Sequence, residues 1–275
     1  MRCVFCAAAC ACILAVLLIC FFLFSNGLPF FGEVNPWEFL TGRRWKPNNG
    51  FFGILPMILG SVYVTGGALL LGAPPAILAA IYLVRFCPRA LYRLLKPAVA
   101  LLAGIPSVVY GFFGLTAIAP FVRETFGGDG NSMLTASILL AMMILPTIIQ
   151  VAESAIRAVP ESYFEGSLAL GATKEAGVFR TVVPAAKSGI LAAVILGVGR
   201  AVGETMAVMM VAGNQPRMPT GLLKGIRTMT VNIVMEMGYA ADLHREALIA
   251  TGVVLFVFIL ILNLLFSVLN RRRAQ

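Results

Sequence analysis

The chain has 275 residues, 60% of them hydrophobic and only 12% charged. Soluble domains carry about one quarter charged residues, so this excess of apolar surface excludes one soluble core and reads as an all-α polytopic membrane protein. The formal net charge of +9 fits loop arginines and lysines of such a protein, and no basic patch interleaved with aromatics suggests nucleic-acid binding.

The first apolar run spans 4–24 and follows Arg2. Signal-peptide cores are about 7–15 residues; this run is longer and no convincing Ala-x-Ala site follows, so a retained helix is expected. Cys3, Cys6, Cys10, Cys12 and Cys20 lie in or beside it, with Cys87 apart. The Cys3–Cys6 CxxC has no second pair and His244 is the sole histidine, so small-residue packing is expected rather than a metal or disulfide site. A loop over 25–57 follows, rich in Gly, Pro, Asn and aromatics. Trp37 and Trp45 sit there as expected boundary anchors.

Further apolar runs fall at 58–84, 98–122, 133–151, 188–212 and 247–269, giving six spans near the ~20 residues a bilayer requires. Pro74, Pro75, Pro106 and Pro146 interrupt some of them. Membrane helices tolerate proline where neighbours satisfy the freed backbone, so these helices are expected to pack against protein. Between the fourth and fifth runs, 152–187 reads as helix–turn–helix: Pro160 opens a helix, Gly171 punctuates, and a second helix runs until Pro184 breaks it. Such an element suits a groove on a partner or serves as a solvated connector. The loop over about 213–246 carries Leu222, Ile226, Met229, Ile233 and Met237 at spacings of three and four. That pattern predicts an amphipathic helix that lines a pore mouth, docks a partner or lies on the membrane.

Basic residues set the orientation. One set comprises Arg2, Arg85, Arg89, Arg93, Lys96, Arg157, Lys174, Arg180, Lys187 and the tail Arg271–Arg273; the other comprises Arg43, Arg44, Lys46, Arg123, Arg217, Lys224, Arg227 and Arg245. The richer set faces the cytoplasm, placing both termini inside.

The fifth run contains GVGRAVGETMAVMMVAG, with Arg200 and Glu204 near its centre. A charge at mid-bilayer costs about 2.5–3.5 kcal/mol on insertion scales. On one helix, residues four apart share a face. With the cation first, the order is the weaker one for local pairing, and an intramembrane charge is a functional-site candidate. Three readings stand: a translocation residue, a structural or gating bridge to a neighbouring chain, and a local pair.

Glu165, Gly171 and Pro184 keep the spacing of the EAA signature of bacterial ABC importer permeases, with Gly166 and Ser167 replacing the two alanines and Thr181 and Val183 replacing isoleucine and leucine. LLAGIPSVVYGFFGL at 101–115, GRAVGETMAVMMVAGN at 199–214, EVNPWEFLTGRRW at 33–45 and RTMTVNIVMEMGYA at 227–240 resemble the phosphate-specific ABC permeases of the PstC type. The resemblance covers nearly the whole chain. It implies one ABC transmembrane domain over 1–275 with the MetI-like type I importer fold, in a bacterial cytoplasmic membrane. It implies a second permease subunit (PstA type), two ATPase subunits (PstB type) and an external phosphate-binding protein (PstS type). The loop 152–187 would dock on the ATPase through Glu165, Gly171, Ala172 and Pro184. No Gly-x4-Gly-Lys-Ser/Thr loop occurs, so ATP and Mg would bind on partners and the chain would hold no cofactor or catalytic site of its own. Arg200 would offer paired donors to phosphate, Glu204 would restrain it between passages, and Thr205 would add a hydroxyl. Gly197, Gly199 and Gly203 would permit close approach. The same fold would serve sulfate, molybdate or phosphonate. A sensory component finds no kinase or receiver domain here, and a secondary transporter would need no EAA loop.

Overall fold

The computed structural model describes residues 1–272; Arg273 of the basic tail lies outside the described residues. Helix α1 (Arg2–Gly27) is continuous and apolar, and it packs on the last helix, α15 (Asp242–Arg272). Gly27 permits the contact, since a Cβ there would meet Val253 Cγ2 at 2.7 Å. Cys3, Cys6, Cys10 and Cys12 are exposed on α1, so the packing role expected for them is not met among the described residues.

The 25–57 segment folds as an aromatic cap of α2 (Phe30–Glu33), α3 (Pro36–Thr41) and a hairpin of β1 (Trp45–Lys46) and β2 (Phe51–Phe52). Asn35 starts α3 by accepting the Trp37 N–H at 2.9 Å, with Pro36 in the first turn. Trp45 pairs with Phe52 across the hairpin, whose turn ends in the left-handed Gly50. Trp37 is 72% exposed, as a boundary anchor should be, but Trp45 is 4% exposed and belongs to the interior. Strand alternation explains the difference: with Trp45 inward, Arg44 and Lys46 point outward. The hairpin rests on α3 where Gly53 meets Gly42, so close that a Cβ on Gly53 would collide with the Gly42 carbonyl group. Gly53→Ala is expected to cost about 1–3 kcal/mol through overpacking. Thermal unfolding of the detergent-solubilised protein checks this, and an unchanged midpoint would refute it.

The centre is a packed trio of α4 (Leu55–Ile81), α8 (Met133–Arg157) and α12 (Lys187–Gly203). On α8, Leu139, Leu140, Met143, Ile144 and Ile148 are fully buried at spacings of one, three and four. Lipid supplies no hydrophobic force between helices, so close packing of small residues matters more. A Cβ on Gly72 would meet the Ala141 carbonyl oxygen at 2.9 Å, and one on Gly197 would meet Ile148 Cδ1 at 2.8 Å. Pro74, Pro75 and Pro146 lie inside continuous helices; Pro146 is buried against protein as expected, whereas Pro74 and Pro75 are exposed on α4. Helix α4 ends in a wide π-turn, Tyr82–Phe86.

Two of the six predicted runs are not straight helices. The run 98–122 is divided between α5 (Arg89–Gly104), α6 (Ser107–Phe113), a π-turn (Gly114–Ile118) and α7 (Ala119–Phe126), with a 95° bend. Pro106 causes the bend by holding Ile105 extended, at φ −68°, ψ 127°. The run 188–212 is α12 followed by a break and then α13 (Met206–Val211). A further 69° bend separates α12 from the segment before it. Four helical stretches are alone long and apolar enough to cross a membrane, Arg2–Glu33, Leu55–Phe86, Met133–Arg157 and Asp242–Leu264; counting each bent pair as one span gives up to six. In the 213–246 loop only Met229, Ile233 and Met237 of the predicted stripe are helical, in α14 (Met229–Met237). Leu222 and Ile226 precede it in irregular chain.

Candidate functional site

Arg200 and Glu204 do not share a helical face. Helix α12 ends at Gly203, and Glu204 is extended at φ −71°, ψ 130°. The reason is local. Gly199 and Gly203 weaken the last turn, and the Glu204 carboxylate bonds to backbone beyond the break, with Oε1 accepting the Ala207 N–H at 3.2 Å. The Glu204 carbonyl accepts Thr230 Oγ1 from α14 at 3.2 Å, and the Thr205 carbonyl accepts the Met209 N–H at 2.8 Å. These bonds tie the break to α13 and α14. Thr205 turns its hydroxyl to the Gly203 carbonyl at 3.3 Å.

Among the described residues Arg200 forms no ion pair, with Glu204 or otherwise, and its Nε is buried without a hydrogen-bond partner. A half-buried guanidinium left open is costly in an apolar bundle. Added Cβ atoms at Gly199 and Gly203 would meet nothing within 4 Å, so these two glycines border open space while Gly197 is spent on packing.

The 152–187 loop folds as α9 (Glu161–Ala169), a turn, α10 (Lys174–Gly177), a π-turn (Val178–Val182) and α11 (Val183–Ala185). The turn is a Schellman cap: the Gly171 N–H donates to Leu168 O at 2.9 Å and the Ala172 N–H to Ser167 O at 3.1 Å. Gly171 takes φ +87°. The predicted break at Pro184 falls instead at Ala186, at φ −84°, ψ 0°, because a first-turn proline fits a helix start. Glu165 is exposed, as are the apolar Tyr163, Leu168, Leu170 and Phe179 of the same loop, with Leu170 beside the Gly171 turn. Gly171→Val is expected to destabilise this turn by about 1–2 kcal/mol. Hydrogen exchange across α9 should rise accordingly, with Gly171→Asn milder; equal protection in all three proteins would refute the argument.

Three charged groups escaped the sequence reading. Arg85 at the end of α4 holds both Glu161 carboxylate oxygens through one NH1, at 2.9 and 2.8 Å, and its guanidinium lies 5.2 Å from the Phe164 ring centre. Buried Glu153 on α8 accepts Tyr92 Oη at 2.6 Å, Arg157 at 3.0 Å and Lys96 at 3.2 Å, tying α5 to α8. At the other end, Glu236 on α14 is 6% exposed and accepts Arg227, Trp45 Nε1 at 2.8 Å and His244 Nε2 at 2.9 Å. Tyr239 sits beside His244, and burial, then the Glu236 carboxylate, pushes its phenol above the usual value. The i, i+4 relation of Asn232 and Glu236, both bound by Arg227, was the available signal.

The sequence family described as binding-protein-dependent transport system inner membrane component matches residues 72–275. This chain belongs to that family. It is a multi-pass inner membrane transport component, and as such it is similar to the probable ABC transporter permease protein YqgH of Bacillus subtilis, 40% identical with 96% of this chain and 89% of the relative covered. The phosphate transport system permease protein PstC of Mesorhizobium japonicum is 38% identical, over 80% and 74% of the two chains. In fold, this transport component matches a chain of the MetNI methionine ABC transporter in an inward-facing conformation, with TM-score 0.67 and 18% identity, covering 84% of this chain and all of that one. It also matches a chain of a bacterial alginate ABC transporter at TM-score 0.64 and 15% identity, over 96% and 94%. The MetI-like importer fold implied by the family resemblance is thus the observed one.

Proposed function

We propose that the chain is the permease subunit of an ATP-driven importer that moves inorganic phosphate across the cytoplasmic membrane. The observation that carries this reading is Arg200: an open guanidinium on the last turn of α12, beside a helix break in an apolar bundle. The 38% identical phosphate permease supports phosphate as the anion. Arg200 supplies a planar fork of donors to phosphate oxygens. Glu204 engages the backbone of α13 in the present state and competes for Arg200 when the break rearranges, which keeps the anion from being trapped. Thr205 supplies a hydroxyl at the same point.

The α9 end carries Arg85, Arg89, Arg93, Lys96 and Arg157 and faces the cytoplasm with both termini. There the exposed tip of the 152–187 loop, with Glu165, Gly171, Ala172 and Pro184 setting its shape, seats in a groove of a PstB-type ATPase subunit. A PstA-type permease completes the membrane part, and a PstS-type binding protein delivers phosphate at the hairpin end. ATP and Mg bind on the ATPase pair and supply the energy. Within this chain α9 moves with its partner, Arg85 passes the motion to α4, and α4 shifts α8 and α12 about the break.

Uptake of labelled phosphate by the reconstituted complex tests the reading, with sulfate, molybdate and phosphonate as competitors and ATP or a proton gradient as drive. Preferential loss to sulfate, or uptake on a proton gradient alone, would overturn it.

A further inference from the structure

A pocket of about 890 Å³ opens at the hairpin end, between the hairpin and residues 215–217. Of its nine lining residues four are cationic, Arg43, Arg44, Lys46 and Arg217, and none is acidic. Two stretches about 170 residues apart in sequence converge there, and both are fixed from below.

The hairpin wall is pinned through Trp45. Its indole is buried and bonded to Glu236, so Arg44 and Lys46 on either side are directed outward. The opposite wall is pinned through Asn214, whose backbone is left-handed at φ +51°, following Gly213 at φ +75°. The Asn214 carbonyl accepts Arg227 Nε at 3.0 Å and its amide Nδ2 donates to Met209 O at 2.7 Å. Arg227 is itself paired with Glu236. One buried carboxylate therefore holds both walls, and because Arg227 and His244 engage it, it adds little negative field to the pocket. From Gln215 the chain leads back through six-residue α13, about 9 Å of rise, to the break at Glu204 and then to Arg200.

From this we infer that the hairpin-end pocket is a second oxyanion site, an entry vestibule where phosphate is held in hydrated form before it reaches Arg200. The inference rests on the phosphate reading above for the identity of the anion, not for the existence of the site. A concave wall of one sign focuses field and raises local anion concentration. Exposed, hydrated cations hold an anion weakly enough to release it inward, unlike the half-buried guanidinium of Arg200.

The test is equilibrium binding of labelled inorganic phosphate to the assembled complex in neutral-lipid nanodiscs, without binding protein, at low and high salt. Wild type should bind in a salt-sensitive manner. R44Q/K46Q/R217Q should weaken binding by about tenfold or more, R44K/R217K should retain it, and R200Q should leave the salt-sensitive component in place. Equal binding by wild type and the triple glutamine variant would overturn the site. So would loss of phosphate binding when anionic lipid replaces neutral lipid, which would assign the pocket to headgroups. Unchanged anion binding combined with a salt-dependent loss of binding-protein association would also overturn it, in favour of an acidic protein face. If instead sulfate binds in the vestibule with the same residue dependence and uptake prefers sulfate, the vestibule stands and the phosphate reading falls.

Discussion

Arg200→Gln is expected to abolish phosphate uptake, by more than about 100-fold, while the complex still assembles. A hydrogen bond to a charged group is worth about 1.5–3 kcal/mol, and glutamine loses one arm of the guanidinium fork together with the charge that strengthens the other, against ~1.4 kcal/mol per tenfold in rate. Glutamine keeps a donor and much of the volume but removes charge and fork. Arg200→Lys keeps the charge without the planar geometry and should retain a partial rate. Arg200 makes no ion pair with its surroundings among the described residues, so neither change should unfold the bundle; yield and thermal midpoint check that separately. Normal uptake by Arg200→Gln at normal expression would remove Arg200 from the pathway.

The second large effect is expected at Arg85. Its side chain is 9% exposed, whereas that of its partner Glu161 is 59% exposed. The pair alone therefore contributes at most about 1 kcal/mol, and the contact over Phe164 adds about 0.5–1 kcal/mol. Together these are the chief polar link between α9 and α4. Arg85→Gln should lower transport per ATP hydrolysed by about tenfold, while ATPase activity of the complex stays within about twofold. Glu161→Gln should reproduce part of the loss, because Phe164 remains. Transport and hydrolysis falling in parallel would show that Arg85 serves assembly instead of transmission.

Hydropathy was enough to find every helix of the central trio, because the lipid environment demands apolar side chains whatever the helix packs against, but it did not show that the run holding α12 breaks after Gly203. The left-handed Gly171 was legible for a similar reason: backbone chemistry at a helix end is local. The helix break at Glu204 was not. Its stability depends on Thr230, 26 residues later, and on the Ala207 N–H taking the carboxylate, so a window of eight residues reads as one helix with two charges on a face. Trp45 failed in the same way. An aromatic in a polar loop looks like a boundary anchor until the buried carboxylate that fixes it, nearly two hundred residues on, is known. Pro106 and Pro146 show the limit of a rule drawn from residue type alone. Both lie in predicted spans, yet only Pro106 bends its helix, because Ile105 is held extended ahead of it while α8 stays closed around Pro146.

The Glu236 cluster also restricts how such proteins can be rebuilt. Trp45 lies in the 25–57 segment, Arg227 and Glu236 in the 213–246 segment, and α14 passes its position to the break through Thr230. The two segments are therefore not interchangeable parts. A chimera that takes residues 25–57 from a relative lacking a tryptophan at this register would leave a carboxylate oxygen short of its indole partner and shift α14. Grafts intended to change what arrives at the mouth should carry Trp45, Arg227, Glu236 and His244 together.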